Sequence, residues 1–390
     1  MHIFQGESRI IVTCSHRMAP YLEKEVRALD YVPARVFKTG VELTGDMSDC
    51  IRLNLHLFCA GQVLFLLRSF QVRNADELYR AVTDLPWEKI LPLDDFFSVT
   101  CNVRNETITN ELFVNMRVKD AIADRFRNKT GSRPDSGAGY QGAVVHVYWQ
   151  EDKADIYLDT SGETLSKHGY RKIPGKAPMM ESLASAVILA GKWERGKSFV
   201  NPMCGSGTLA IEAALMSTQR APGLFRKNYA FMHLKDYDDS VYRYAYKQME
   251  KQIVERKDVN IIASDIRKDA VDISKINAEL AGVADMIHFE ECDFYDTTVP
   301  QQNKGAIYFN PEYGDRLGVE IELQETYARM GDFLKKKAAG YWGYIFTGNL
   351  ELAKKIGLKA TRRMEFFNGK IDCRLLEYEM YEGKRVQEVQ

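Results

Sequence analysis

Residues 198–208 read Ser198-Phe-Val-Asn-Pro-Met-Cys-Gly-Ser-Gly-Thr208 and run directly into Leu209-Ala-Ile-Glu-Ala-Ala-Leu215. No other stretch restricts the fold as strongly. A short apolar strand around Phe199 and Val200 enters a Gly-Ser-Gly-Thr turn that opens an apolar helix, the layout of a mononucleotide-binding βα unit. Gly205 and Gly207 lack a Cβ, so backbone N–H groups at the helix N-terminus can approach a ligand closely. A Gly-rich turn alone does not select the ligand.

A second stretch about a hundred residues on narrows the choice: Ala306-Ile-Tyr-Phe-Asn-Pro-Glu-Tyr-Gly-Asp-Arg-Leu-Gly318. An apolar strand ends here in Asn310, Pro311, Glu312 and Tyr313, which groups an amide, a fixed backbone carbonyl and an aromatic ring at a strand's C-terminal end. In open α/β sheets that edge is where ligands sit. The pairing of a Gly-rich βα turn with an Asn-Pro-x-Tyr strand end resembles the S-adenosylmethionine-dependent amino-group methyltransferases. Gly169-Tyr-Arg171, Ala177-Pro-Met-Met-Glu181, Ala221-Pro-Gly223 and Tyr313-Gly-Asp-Arg-Leu317 extend the likeness. Together these motifs resemble the THUMP-containing RlmL family of ribosomal-RNA guanine-N2 methyltransferases, over nearly the whole chain.

Composition fits that class. At 390 residues the chain is long enough for two or three cores, and 45% hydrophobic with 27% charged residues is the balance of a globular enzyme. No apolar run approaches the roughly 20 residues of a membrane span. The N-terminus lacks the basic-then-apolar layout of a signal peptide, so a cytoplasmic protein is expected. Seven dispersed cysteines without a C-x-x-C pair argue against disulfides, zinc or an iron–sulfur cluster. Cys204, inside the Gly-rich turn, is read as small-residue packing, and the histidines show no metal-ligand spacing. A net charge of −1 excludes a polybasic protein, so RNA contacts must come from local segregation of charge.

The fold class expected is α/β: a Rossmann-like seven-stranded methyltransferase domain at 165–390, preceded by a ferredoxin-like α+β domain at 1–60 and a THUMP RNA-binding domain at 61–164. The first part reads as strand 9–14, helix 18–30, a hairpin at 34–44 and helix 46–59 started by Asp46. Strands at 62–72, 96–103, 143–149 and 154–159 follow, with helices 75–84 and 111–128. Val114, Val118, Ile122 and Phe126 recur at helical spacing in the latter. After the Gly-rich turn, residues 221–258 form a long excursion with a helix from 239. Strands 259–264, 286–290, 305–309 and 341–347 then alternate with helices 268–281, 320–337 and 350–357. Residues 372–381 alternate as the antiparallel last strand.

What the resemblance implies for the cofactor is specific. Gly205, Ser206, Gly207 and Thr208 form the turn beside the methionine portion of S-adenosylmethionine, with Asn201 leading into it. Asp265, after an apolar strand, takes the ribose hydroxyls, and Asp293 takes the adenine amino group. Taken alone, either Asp reads as a helix N-cap or a strand-end solvent contact; the order of the motifs favours the cofactor role. For the acceptor, the exocyclic amine of guanine is a poor nucleophile because its lone pair is delocalised into the ring. The Asn310 oxygen and the Pro311 carbonyl, each accepting one N–H, draw that nitrogen toward tetrahedral geometry, and Tyr313 stacks on a base taken out of its helix.

Two positions depart from the family pattern, which has Asp where this chain has Asn201 and a second Pro where it has Glu312. Asn201 keeps hydrogen-bonding capacity without charge. Glu312 adds a carboxylate that can accept from the N1–H edge of guanine. For RNA capture, the basic residues Arg125, Arg127, Lys129 and Arg133, with Lys167, Arg171, Lys172 and Lys176 at the domain junction, are expected to contact phosphates. The partner expected is large-subunit rRNA, with no membrane and no metal. Guanine N2 in tRNA is the nearest alternative, and a non-catalytic RNA-binding or assembly factor with a decayed cofactor site is the other. A nicotinamide-dependent oxidoreductase is disfavoured because the turn lacks G-x-G-x-x-G.

Overall fold

In the computed structural model, which describes residues 6–105, 108, 110–173, 178–256, 260–313 and 317–383, the chain forms two units. The first comprises Met1–Cys14, Leu22–Leu165 and Pro222–Lys251, the second Ser15–Tyr21, Ser166–Ala221 and Gln252–Gln390.

The first half of the chain supplies β1 (Ser8–Thr13), α1 (Ala19–Ala28), β2 (Arg35–Phe37), β3 (Gly40–Gly45), α2 (Met47–His56), β4 (Val63–Gln71), α3 (Ala75–Thr83), β5 (Phe96–Arg104), α4 (Glu111–Thr130), β6 (Asp135–Ser136), β7 (Ala143–Gln150) and β8 (Lys153–Asp159). All eight strands join one sheet in the order β2-β3-β1-β4-β8-β7-β5-β6. Antiparallel pairing of β1 with β4 therefore carries the sheet across the sequence boundary near residue 60. Asp46 starts α2 with a capping box: its side chain accepts from the N–H groups of Ser48 and Asp49, and the Asp49 carboxylate accepts from the Asp46 N–H. Val114, Val118, Ile122 and Phe126 on α4 are buried, as their spacing predicts, and Trp87 and Trp149 are core residues.

The remainder contributes α5 (Glu181–Ala190), β9 (Phe199–Pro202), α6 (Thr208–Ser217), α7 (Asp239–Lys251), β10 (Ile261–Asp265), α8 (Lys268–Leu280), β11 (Ile287–Glu291), β12 (Ala306–Phe309), α9 (Leu317–Lys337), β13 (Trp342–Thr347), α10 (Leu350–Ala353), β14 (Arg362–Asn368) and β15 (Ile371–Glu379). Its sheet has seven strands in the order β11-β10-β9-β12-β13-β15-β14, with β15 antiparallel to both neighbours. The strand β14 was absent from the sequence reading. Its alternating pattern sits just before a Gly369 turn, and together these are a hairpin signal. Val200, Ile307, Phe309, Tyr327, Met330, Phe333 and Ile345 form the core on one face of the sheet.

The excursion after α6 is grouped with the first half of the chain, not with the elements that flank it in sequence. Residues 222–251, α7 included, belong to the first unit. Phe231 N–H donates to the Thr160 carbonyl (3.1 Å) and Lys235 N–H to the Ile90 carbonyl (2.9 Å), while Arg226 donates to the carbonyls of Ser161, Glu163 and Thr164. We retain the three-part division at 60 and 164 as a proposal about sequence modules, with this segment assigned in space to the first two.

Candidate active site

Strand order reverses at β9: β10 and β11 lie to one side, β12 and β13 to the other. The crevice at the carboxyl ends of β9 and β12 is the switch point where open α/β sheets bind ligands. Parallel register brings the ends of β10, β9 and β12 side by side, so the turn at 203–207, Asp265 and Asn310 share one edge.

The turn is pinned by its surroundings. Three of its five residues have left-handed backbone: Met203 (φ 57°), Gly205 (φ 56°) and Gly207 (φ 81°). The two glycines are required for different reasons. A Cβ on Gly207 would lie 2.1 Å from Ser274 Oγ, whereas one on Gly205 would meet nothing within 4 Å and project into open space. Cys204 N–H donates to the Ser264 carbonyl (2.8 Å) and Gly207 N–H to the Cys204 carbonyl (2.9 Å). Asp265 Oδ2 accepts from Gly205 N–H (3.0 Å) while Oδ1 accepts from Arg267 N–H (3.0 Å). Asn277 Nδ2 donates to the carbonyls of Ser206 (3.2 Å) and Ile173 (3.1 Å). Burial pushes the Cys204 thiol up to about 12, with the Asp265 charge adding, so it stays protonated and packs rather than attacks.

Beneath the turn lies a polar network that the sequence reading missed. Glu212, on the wholly buried α6, has no exposed surface. Its Oε1 accepts from the Tyr170 hydroxyl (2.8 Å) and lies 2.9 Å from His168 Nδ1, and its Oε2 accepts from Ser185 Oγ (2.7 Å). Arg171, expected on RNA, turns inward instead. It donates to the Met179 carbonyl (2.7 Å), to Thr208 Oγ1 (3.2 Å) and to the buried Glu181 carboxylate (2.8 Å). Burial raises the Glu181 carboxyl although the Arg171 charge opposes it. A Glu amid Leu209-Ala-Ile and Ala-Ala-Leu215 was the available signal, because an acid in an apolar run needs partners.

The strand end after β12 is different. Asn310 is half-buried and its Oδ1 is buried without a hydrogen-bond partner among the described residues. Pro311 is buried and Glu312 is exposed. Tyr313 packs over Gly348, and its hydroxyl accepts from Asn368 Nδ2 (2.8 Å). Burial raises the Tyr313 phenol to about 12. Glu312 lies within electrostatic reach of Arg267, whose own pKa is raised chiefly by its hydrogen-bonded partner Asp269. Gly314, Asp315 and Arg316 of the motif lie outside the described residues.

Asn201 is buried with its Nδ2 donating to the Tyr308 carbonyl (2.8 Å), a bond an ionised Asp could not make, and its Oδ1 has no partner among the described residues. Asp293 caps the short 3-10 turn Phe294–Asp296 by accepting from Tyr295 N–H (2.8 Å), and the same Oδ1 accepts from Arg329 (2.7 Å). Any adenine contact would share it with Arg329, 36 positions away in sequence. Of the basic residues expected on RNA, Arg125 is held in a bidentate pair with Glu88 (2.8 and 3.0 Å) and Arg127 pairs with Asp124 (3.1 Å). Lys129 and Arg133 of the first unit, and Lys167 and Lys172 of the second, are exposed. Lys176 lies outside the described residues.

Among the described residues no three His, Cys, Asp or Glu side chains gather to hold a metal, and no helix is long and apolar enough to cross a membrane. All seven cysteines are free thiols.

Residues 9–64 match the RlmL ferredoxin-like domain, 72–159 the THUMP domain, and 168–377 the RMKL-like methyltransferase domain. The chain is 34% identical over 96% of its length to the ribosomal RNA large subunit methyltransferase K/L of Syntrophotalea carbinolica, covering 54% of that protein. It spans about half the length of the curated relatives it matches. The structure of SMU.472 complexed with SAH superposes with a TM-score of 0.86 at 26% identity, covering 98% of this chain and 100% of that one. A Listeria monocytogenes protein named as a predicted N6-adenine-specific DNA methylase gives 0.85 at 30% identity, covering 97% of both chains. With more than half of its residues matched by the RMKL-like methyltransferase domain, behind RlmL ferredoxin-like and THUMP domains, the chain belongs to the RlmL-type methyltransferase family.

Proposed function

We propose that the chain is an S-adenosylmethionine-dependent RNA methyltransferase that modifies the exocyclic N2 amine of a guanine in large-subunit rRNA, acting in the cytoplasm. The observation that carries this reading is the Asn310 amide oxygen, buried at the end of β12 without a partner among the described residues, beside a pinned Gly-rich turn. A buried acceptor without a donor is costly unless a ligand supplies one. An exocyclic amine is such a donor.

The residues fit the cofactor. The space beside Gly205 is open, Asp265 stands at the end of the neighbouring strand with its carboxylate on the turn, and the first residues of α6 present N–H groups. Gly205, Ser206, Gly207 and Thr208 would hold its methionine portion, Asp265 its ribose and Asp293 its adenine, with Asn201 behind the turn. When bound, S-adenosylmethionine supplies an electrophilic methyl group on a sulfonium. The protein's task is to align the acceptor nitrogen, and alignment alone can lower a barrier by roughly 7–11 kcal/mol. Asn310 Oδ1 and the Pro311 carbonyl accept the two amine N–H bonds and localise the nitrogen lone pair. Tyr313, fixed by Asn368, presents a ring face to the extruded base. The nitrogen releases one proton to water as its new bond forms, so no strong base is needed. Glu312 accepts from guanine N1–H, which adenine lacks.

The relatives named for ribosomal RNA and the THUMP match support RNA as the partner. Labelled-methyl transfer from S-adenosylmethionine to separated rRNA and tRNA, followed by nucleoside analysis, tests the reading. N2-methylguanosine in large-subunit rRNA is expected. The same product in tRNA replaces the substrate, N6-methyladenosine replaces the base, and absence of cofactor binding by calorimetry points to a non-catalytic RNA-binding factor.

A further inference from the structure

We infer that a groove on the first unit, between residues 224–227 and α7, binds a single-stranded segment of the RNA substrate; this rests on the RNA-methyltransferase reading above. The groove has a volume of about 380 Å³ and is lined by Leu224, Arg226, Lys227, Tyr242, Arg243, Tyr246, Lys247 and Glu250. That is within the size of a small-ligand site, roughly 300–1,000 Å³. Its wall carries four cations against a single carboxylate, in a chain whose net charge is −1. The positive potential there is therefore local.

Two aromatic residues line the same groove. Tyr242 and Tyr246 are one helical turn apart, with ring centroids 5.8 Å from each other. Tyr242 rests on the buried Tyr229 and Phe231, which stack on one another at 5.1 Å, so the platform has a rigid floor. Arg226 is locked in the wall by carbonyls of Ser161, Glu163, Thr164 and Asn228. Arg243 is paired with Asp239 along the helix. Lys227 and Lys247 are exposed and, among the described residues, enter no ion pair. Two solvated lysines flanking two tyrosine faces offer phosphate contacts and base stacking together, the combination by which proteins track single strands without reading sequence. An acidic peptide would use the lysines but leave the ring platform without a role.

The test uses the full chain and a fluorescein-labelled 12-nucleotide oligouridylate, read by anisotropy across a salt series, with S-adenosylmethionine affinity measured in parallel by calorimetry. The double variant Lys227→Glu with Lys247→Glu should bind the oligonucleotide at least about tenfold more weakly, with a log–log salt slope shallower by about 1.4 for two lost phosphate contacts. Tyr246→Ala should weaken binding several-fold and Tyr246→Phe should restore it, with cofactor affinity unchanged throughout. In methyl transfer, KM for RNA should rise in the double variant while kcat holds. If wild type binds or methylates RNA and the variants match it in affinity and KM, the groove assignment is wrong and the enzyme reading stands. If wild type neither binds the oligonucleotide nor methylates any RNA, both fall. If polyglutamate displaces the RNA as well as unlabelled oligouridylate does, the groove is an acidic-peptide site and the inference is overturned.

Discussion

The two strand ends that meet at the switch point are built in opposite ways. After β9, four of the five turn residues between 203 and 207 make backbone hydrogen bonds to the protein, through Ser264, Asp265, Asn277 and the turn itself. After β12, the Asn310 amide oxygen is buried and, among the described residues, has no hydrogen-bond partner. The turn backbone at the first end is finished by the fold, with only the Asn201 amide oxygen behind it left open; the second end places its unsatisfied hydrogen-bonding capacity on the residue that directly follows the strand. A site divided this way can hold one ligand on a preformed cradle and leave its directional chemistry to the other, so substitutions at the two ends should fail differently.

The largest effect is expected at the open end. Asn310→Ala should lower kcat for methyl transfer by about 10²–10³-fold, as for loss of an oriented polar group at a reacting atom, with the thermal midpoint scarcely changed because the oxygen bonds to no protein group. A large loss of stability with activity retained would erase the contrast.

At the pinned end the order reverses. Gly207→Ala should cost about 3 kcal/mol of stability in denaturant titration, since it combines a left-handed backbone with a 2.1 Å approach to Ser274 Oγ. Gly205→Ala has open space around its Cβ and should cost only about 1–2 kcal/mol. It should instead weaken S-adenosylmethionine binding, measured by calorimetry. Equal effects of the two glycines on stability and on binding would mean that the turn is not shaped as described.

Cys204 offers a pH readout of the same turn. Its thiol is raised to about 12 in the folded chain from 9, so the folded state keeps a proton that the unfolded state releases. Stability contributed by this group is complete below about pH 9 and falls as pH rises toward 12. Alkylation of Cys204 by iodoacetamide, followed by peptide mapping at pH 8.5, should be slow in the native protein and fast in denaturant.

The smallest effect is expected at the exposed rim. Glu312→Gln should reduce the preference for guanine over adenine acceptors by about 2–10-fold, the range of one modest hydrogen bond, without loss of cofactor binding. Unchanged base choice would leave Glu312 as a surface residue beside Arg267.

Much of this division was legible in the chain. The Gly-rich turn, the apolar run ending in Asn310 and the carboxylates at strand ends are local signals, and local signals survive without tertiary knowledge. What the sequence could not convey was pairing at a distance. Arg171 reads as one of a basic cluster until Glu181, Thr208 and the Met179 carbonyl are brought around it. Arg125 likewise reads as available until Glu88 arrives from 37 positions away. Asp293 reads as a free ligand group until Arg329 meets it. On α7, Tyr242, Tyr246 and Met249 recur at helical spacing and mark a packing face, but nothing in that spacing names the remote Tyr229 and Phe231 on which Tyr242 rests.

The membership of residues 222–251 in the first unit has a consequence for how the protein is made. Those residues are synthesised after β9 and α6, so the N-terminal sheet leaves the ribosome without the segment that completes its unit. The 86 residues from 166 to 251 separate the end of β8 and its following turn from the end of α7. At roughly 5–20 residues per second the delay is about 4–17 s. For the part of that interval before Arg226 is made, about 3–12 s at the same rate, the carbonyls of Ser161 and Thr164 lack their donor, and the nascent chain has to carry one incomplete unit while the first strand of the other is already emerging.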